Sequence, residues 1–136
     1  MTKTKSDMRT IKFRGQDEDG KWLYGDLRQR MGYWPAIIES YCTDEGKVGY
    51  REIAVKEDTV GQNTSLRDKN GKDIYEGDIL RLKGERRKLE VRFVRGVFAF
   101  LWDGNLDDEF PCNAPTQEWA EVVGNIHDNP KMIKRR

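Results

Sequence analysis

Apolar residues recur at every second position along this chain, in short runs broken by glycine-bearing turns, and that period predicts strands. Ile11 and Phe13, then Asp17-Glu-Asp-Gly20, then Trp22 and Tyr24, read as two strands joined by an Asp-Gly turn. Trp34–Glu39 and Arg51–Lys56 are further strands, with Asp44-Glu-Gly46 as a turn between them; Pro35 predicts that the first begins at an edge. Three consecutive antiparallel strands are predicted at Asp78–Lys83, Leu89–Val94 and Val97–Trp102, separated by the polar loop Gly84–Lys88 and by Arg95-Gly96. Leu89, Val91 and Phe93 share one face of the middle strand, and Glu90 and Arg92 take the other. Asp103–Thr116, holding Gly104, Pro111 and Pro115, is a long excursion over the sheet. Trp119–Ile126 supplies a last strand whose Val122, Val123 and Ile126 close it. No stretch keeps a helical period beyond one or two turns.

Between these two sets of strands lies a polar turn in which Asp68, Asn70 and Gly71 are self-capping or tolerant of a left-handed backbone, followed by Gly77 and the apolar Ile79, Leu80 and Leu82. The expected fold is mainly β with little helix. A small antiparallel barrel-like (SH3-like) half, about 63–127, is joined to an N-terminal β lobe, about 9–62, with Trp22, Tyr24, Ile79, Val91, Phe93, Phe98, Phe100 and Val123 in the core. Residues 1–8 and 131–136 are charged and read as tails.

With 136 residues the chain is one domain or two lobes, because still smaller independent domains are marginal without staples. Twenty-five Lys and Arg against 24 Asp and Glu leave a net charge of +1, so attraction to nucleic acid or membrane must come from local clustering. Cys42 and Cys112 lack CxxC spacing and no apolar leader precedes them, which implies buried or semi-buried free thiols in a reduced, cytoplasmic protein. No apolar run approaches the roughly 20 residues that cross a bilayer.

Five stretches in order, Ile11-Lys-Phe-Arg14, Gly20-Lys-Trp-Leu-Tyr-Gly-Asp-Leu27, Asp58-Thr-Val-Gly-Gln62, Asp68-Lys-Asn-Gly-Lys-Asp-Ile-Tyr-Glu-Gly-Asp-Ile79 and Val122-Val-Gly-Asn-Ile-His-Asp-Asn-Pro130, resemble the YopX family of small phage and prophage proteins. Gln16 and Asn63 stand where that family commonly has other residues. The resemblance covers nearly the whole chain and implies a single domain over 9–130, a mostly β fold and a phage or prophage source in a bacterial host. It transfers no catalytic residues or ligands.

Candidate chemistry centres on charge. Arg81, Lys83, Arg86, Arg87, Lys88, Arg92 and Arg95 fall within fifteen residues, offset by Glu85 and Glu90, and are the candidate nucleic-acid contacts, since a hairpin gathers its loop cations at one tip. A charged hairpin that resists aggregation is the commoner use of the same pattern. Tyr33 and Trp34 beside Arg28 and Arg30 are candidate stackers, although rim or core packing is the usual fate of such rings. Asp103, Asp107, Asp108 and Glu109 suit a hard cation but lack EF-hand spacing, so a solvated loop fits them better. His127, the only histidine, has no partner placed by a motif, and with Asn125, Asp128, Asn129 and Pro130 it reads as the turn ending the last strand. No cofactor is expected. The leading function is a non-enzymatic phage or prophage binding module for a host or phage macromolecule, nucleic acid or protein; the alternative is a small metal-dependent phage enzyme acting on nucleic acid. Open sheet edges also permit homo-oligomers.

Overall fold

The computed structural model describes residues 9–111 and 114–134. The chain is mainly β, its strands pairing antiparallel, and it divides into two compact units at Asn63 and Thr64.

The first unit holds β1 (Phe13–Gln16), β2 (Trp22–Arg28), β3 (Ala36–Cys42), β4 (Val48–Ala54) and the start of β5 (Gly61–Arg67), in the spatial order β4-β3-β2-β1-β5. β1 and β2 form the expected hairpin, with Phe13 opposite Gly25 and Gln16 opposite Trp22. Leu23, Ile37 and Val55 are its fully buried centre, with Phe13, Leu27, Ile53 and Val60 packed around them. Trp22 and Tyr24 lie on the opposite face from Leu23, because neighbours in a strand point to opposite sides. Trp22 is half-buried under the Arg14 guanidinium, 4.5 Å from the ring, and Tyr24, expected in the core, is exposed. β3 is internal, lying between β2 and β4; Pro35 stands one residue before it, where its missing N–H costs the ladder nothing.

Three turns share one construction. Asp17, Thr43 and Asp68 each donate a backbone N–H to the carbonyl of the Lys four residues on, and each carbonyl accepts the N–H of Gly20, Gly46 or Gly71. The side-chain oxygen of each also accepts the N–H of that same Lys, at 2.9 to 3.0 Å. The glycines sit at φ +85°, +80° and +79°, a left-handed conformation that a side chain strains.

The second unit holds the rest of β5, which runs beside β6 (Asp73–Tyr75), and a four-stranded sheet of β7 (Asp78–Arg81), β8 (Leu89–Val94), β9 (Val97–Trp102) and β10 (Glu121–Asn125), ordered β10-β7-β8-β9. Its core is Ile74, Leu80, Leu89, Val91, Trp102 and Ala120. The sheet does not close into a barrel. β10 lies beside β7, with a bulge between Val122 and Gly124. The outer edge of β9 is instead capped by the excursion: Phe110 donates to the Phe100 carbonyl at 2.8 Å, and Trp102 to the Asp108 carbonyl at 2.9 Å. Trp119 belongs to a single helical turn, α1 (Thr116–Trp119), and not to the last strand.

Phe93, expected in the core, is 52% exposed. The buried cluster takes in Leu89 and Val91 but stops short of Phe93, so the row Leu89, Val91, Phe93 runs out from under its cover. Cys42, expected buried, is an exposed free thiol near the tip of the β3–β4 hairpin; Cys112 lies outside the described residues. Among the described residues no helix is long and apolar enough to cross a membrane.

Candidate functional site

The seven candidate cations are spread over the end of β7, the body of β8 and the connections at both ends of β8. Lys83, Arg86, Arg87 and Lys88 stand in the β7–β8 loop, while Arg95 forms the β8–β9 turn with Gly96, roughly 20 Å away at about 3.3 Å per residue. Three of the seven are engaged by carboxylates. Arg81, the last residue of β7, pairs with Glu121, which faces it across the ladder on β10. Arg92 holds Glu90 at 3.0 Å; the two share a face of β8, and Glu90 is 1% exposed, so this is a structural ion pair.

Arg87 reaches Asp108 at 3.0 Å and lies 4.6 Å above the Trp102 ring. Beneath it is a box of rings met edge to face: Trp102 with Phe110 at 5.4 Å, Phe110 with Trp119 at 5.0 Å, and Trp119 with Phe100 at 5.6 Å. Arg87 thus clamps the excursion onto β9. The Asp103 N–H donates to the Lys88 carbonyl at 2.8 Å, so the acidic segment begins beside the basic loop and weakens its field. Among the described residues no group of three or more His, Cys, Asp or Glu is arranged to hold a metal ion.

Lys83, Arg86, Lys88 and Arg95 make no ion pair with a described residue. Arg95 and Gly96 both take positive φ, +51° and +82°, as a two-residue type I′ turn requires. Beside that turn Phe93 meets Phe98 edge to face at 5.1 Å, and Val97 is 58% exposed. This apolar hairpin end is absent from the sequence-based expectations because alternation marks a face without saying where its cover stops. Tyr33 and Trp34, for which rim or core packing was the commoner expectation, are 70% and 62% exposed. Around His127 the Asn125 side chain accepts the N–H groups of His127 and Asp128 at 3.0 and 2.9 Å, a strand-ending turn.

The crystal structure of protein EF1440 from Enterococcus faecalis is similar to this chain, with a TM-score of 0.55 and 23% identity over 93% of this chain and 100% of that one. The X-ray structure of protein yopX from Bacillus subtilis matches with a TM-score of 0.49 and 20% identity, over 95% of this chain and 99% of that one. No curated protein matches. The family model described as YopX protein matches residues 12–134, which takes in every strand of both units, and the chain therefore belongs to the YopX family.

Proposed function

We propose that this chain is a non-catalytic binding protein of phage or prophage origin, working in the host cytoplasm, and that it engages a protein through the free end of the β8–β9 hairpin. In this reading residues 9–130 act as one domain of two lobes, 9–62 and 63–127. The observation that carries it is Phe93, a large ring held 52% exposed by an edge-on contact with Phe98, next to exposed Val97. Rigid aromatic anchors of this kind dominate protein interfaces. The backbone supports the same reading. With Val94 opposite Val97 at the turn, Phe93 and Phe98 form a pair whose N–H and C=O groups point outward. The Phe98 groups continue the row in which the Phe100 carbonyl is capped by Phe110, and lie beyond that cap, where an extended segment can add to the edge.

Phe93→Ala is expected to cost only about 1 kcal/mol in denaturant unfolding, the value of an edge-to-face pair at a half-exposed site. Together with Val97→Ser it should abolish capture of a partner that the unaltered protein retains from host lysate. Retention of that partner by the folded double variant would overturn the assignment.

Lys83, Arg86 and Lys88, which make no ion pair with a described residue, favour a second reading, phosphate contact by the β7–β8 loop. Its signature is an affinity for duplex DNA that falls with salt, with a slope reduced by up to about 2.7 when all three become Ser, at about 0.9 per contact. Arg87 is left unchanged in that test because of its place on Trp102.

A further inference from the structure

The first unit carries a groove of ≈ 520 Å³ lined by Trp34, Lys56, Glu57 and Asp58. Its walls are set by backbone contacts. The Pro35 carbonyl accepts the Val55 N–H at 2.9 Å, which brings the residue before Pro35 alongside the chain leaving β4. That chain then turns through a short 3-10 segment, Glu57–Thr59. Thr59, itself buried, pins the turn: its hydroxyl donates to the Lys56 carbonyl at 2.6 Å and accepts the Gln16 N–H at 2.9 Å. The Lys56 N–H donates to the Gln16 carbonyl at 2.8 Å. The backbone that carries the indole and both carboxylates is therefore set before anything binds.

We infer that this groove receives the guanidinium of an arginine side chain from a partner protein. Neither carboxylate makes an ion pair with a described residue, and two carboxylates outweigh one ammonium, so the groove favours a cation. The indole of Trp34, a residue 62% exposed, adds an attraction for a flat, weakly hydrated cation that a lysine ammonium satisfies less well. A guanidinium can stack on the ring while its fork of N–H donors meets Glu57 or Asp58. The site is in the first unit and does not depend on the hairpin end of the second.

The test is a titration of the full chain with the capped tripeptide acetyl-Gly-Arg-Gly-amide and its Lys and Glu counterparts, read from the Trp34 indole N–H resonance, which is assigned by its disappearance in Trp34→Phe. The arginine peptide is expected to give a saturable shift at Trp34, Glu57 and Asp58, tighter than lysine, with none from glutamate. Glu57→Gln with Asp58→Asn should weaken it roughly threefold or more, and so should Trp34→Ala, followed at the Glu57 and Asp58 backbone amides. Lys56→Met, which keeps the stem and removes the repelling charge, should tighten it. Absence of saturation, equal binding of the lysine peptide, or indifference to the two charge-altering variants in folded protein would each overturn the proposal.

Discussion

Replacing Asp68 by alanine is expected to lower stability by about 3 to 5 kcal/mol, among the largest single effects in this chain. Asp68 is 1% exposed, and its carboxylate accepts three backbone N–H groups, those of Asn70 and Lys72 on one oxygen and that of Val122 on the other, all at 2.9 Å. It therefore builds its own turn and ties β10 to it. Alanine removes three hydrogen bonds to a buried charged group, each worth about 1.5 to 3 kcal/mol when fully buried and less at these part-buried donors. The same contacts predict a pH dependence. Burial pushes the carboxyl up, but the N–H groups of Val122, Lys72 and Asn70, with the Lys72 charge, outweigh it and hold the group below the ordinary aspartate value. A depressed folded pKa means that the contribution is complete above the unfolded value, about 3.9, and is lost as pH falls through the folded one. Denaturant unfolding of the unaltered protein and of Asp68→Asn should thus differ most near neutrality and converge below about pH 4. A gap that stays constant down to pH 2.5, or an alanine variant within 1 kcal/mol of the parent, would sink the assignment.

Gly25→Ala should cost at least about 3 kcal/mol, through backbone and not through a cavity. A Cβ at this position would lie 2.0 Å from the Ile38 carbonyl oxygen and 2.9 Å from its carbon. Ile38 faces the next residue, Asp26, across the β2–β3 ladder, so the methyl group can fit only if the two strands part. Gly15 provides the contrast. A Cβ there meets the Val55 side chain at 2.8 Å, and that obstacle can be trimmed. Gly15→Ala should accordingly recover part of its loss in a Gly15→Ala, Val55→Ala double variant, with a measurable coupling energy. Since the obstacle to Gly25→Ala is backbone, a melting temperature for that variant within a degree or two of the parent would show that β3 gives way more easily than a packed ladder should.

These positions mark how far local pattern reaches. Alternation and turn residues sufficed for the β1–β2 hairpin, for the β7–β8–β9 meander and for the Asp68 turn, because each is decided by neighbours in sequence. They could not choose between Leu23 and the aromatic pair Trp22 and Tyr24 as the buried side of β2, since both faces of that strand carry large apolar side chains. The basic run looked uniform because two of its three partners are remote: Arg87 meets Asp108 21 residues on, and Arg81 meets Glu121 40 residues on, whereas Arg92 meets Glu90 beside it. The wall of the Trp34 groove comes from a turn more than twenty residues downstream, and the contact of Asp68 with Val122 spans 54. No periodicity carries that information.

The sheet order β10-β7-β8-β9 has a consequence for how long the folded state lives. β7, β8 and β9 follow one another directly and can pair at small loop-closure cost, whereas β10 must return across the whole excursion to reach β7. The meander should therefore be formed in the folding transition state, with β10 and its bond to Asp68 arriving later. In that order Leu89→Ala slows refolding, while Asp68→Ala leaves refolding nearly unchanged and accelerates unfolding, a partition that chevron kinetics read directly. A strand that docks last is also the first to leave, so the residence time of the native sheet rests on one carboxylate at the far end of its sequence.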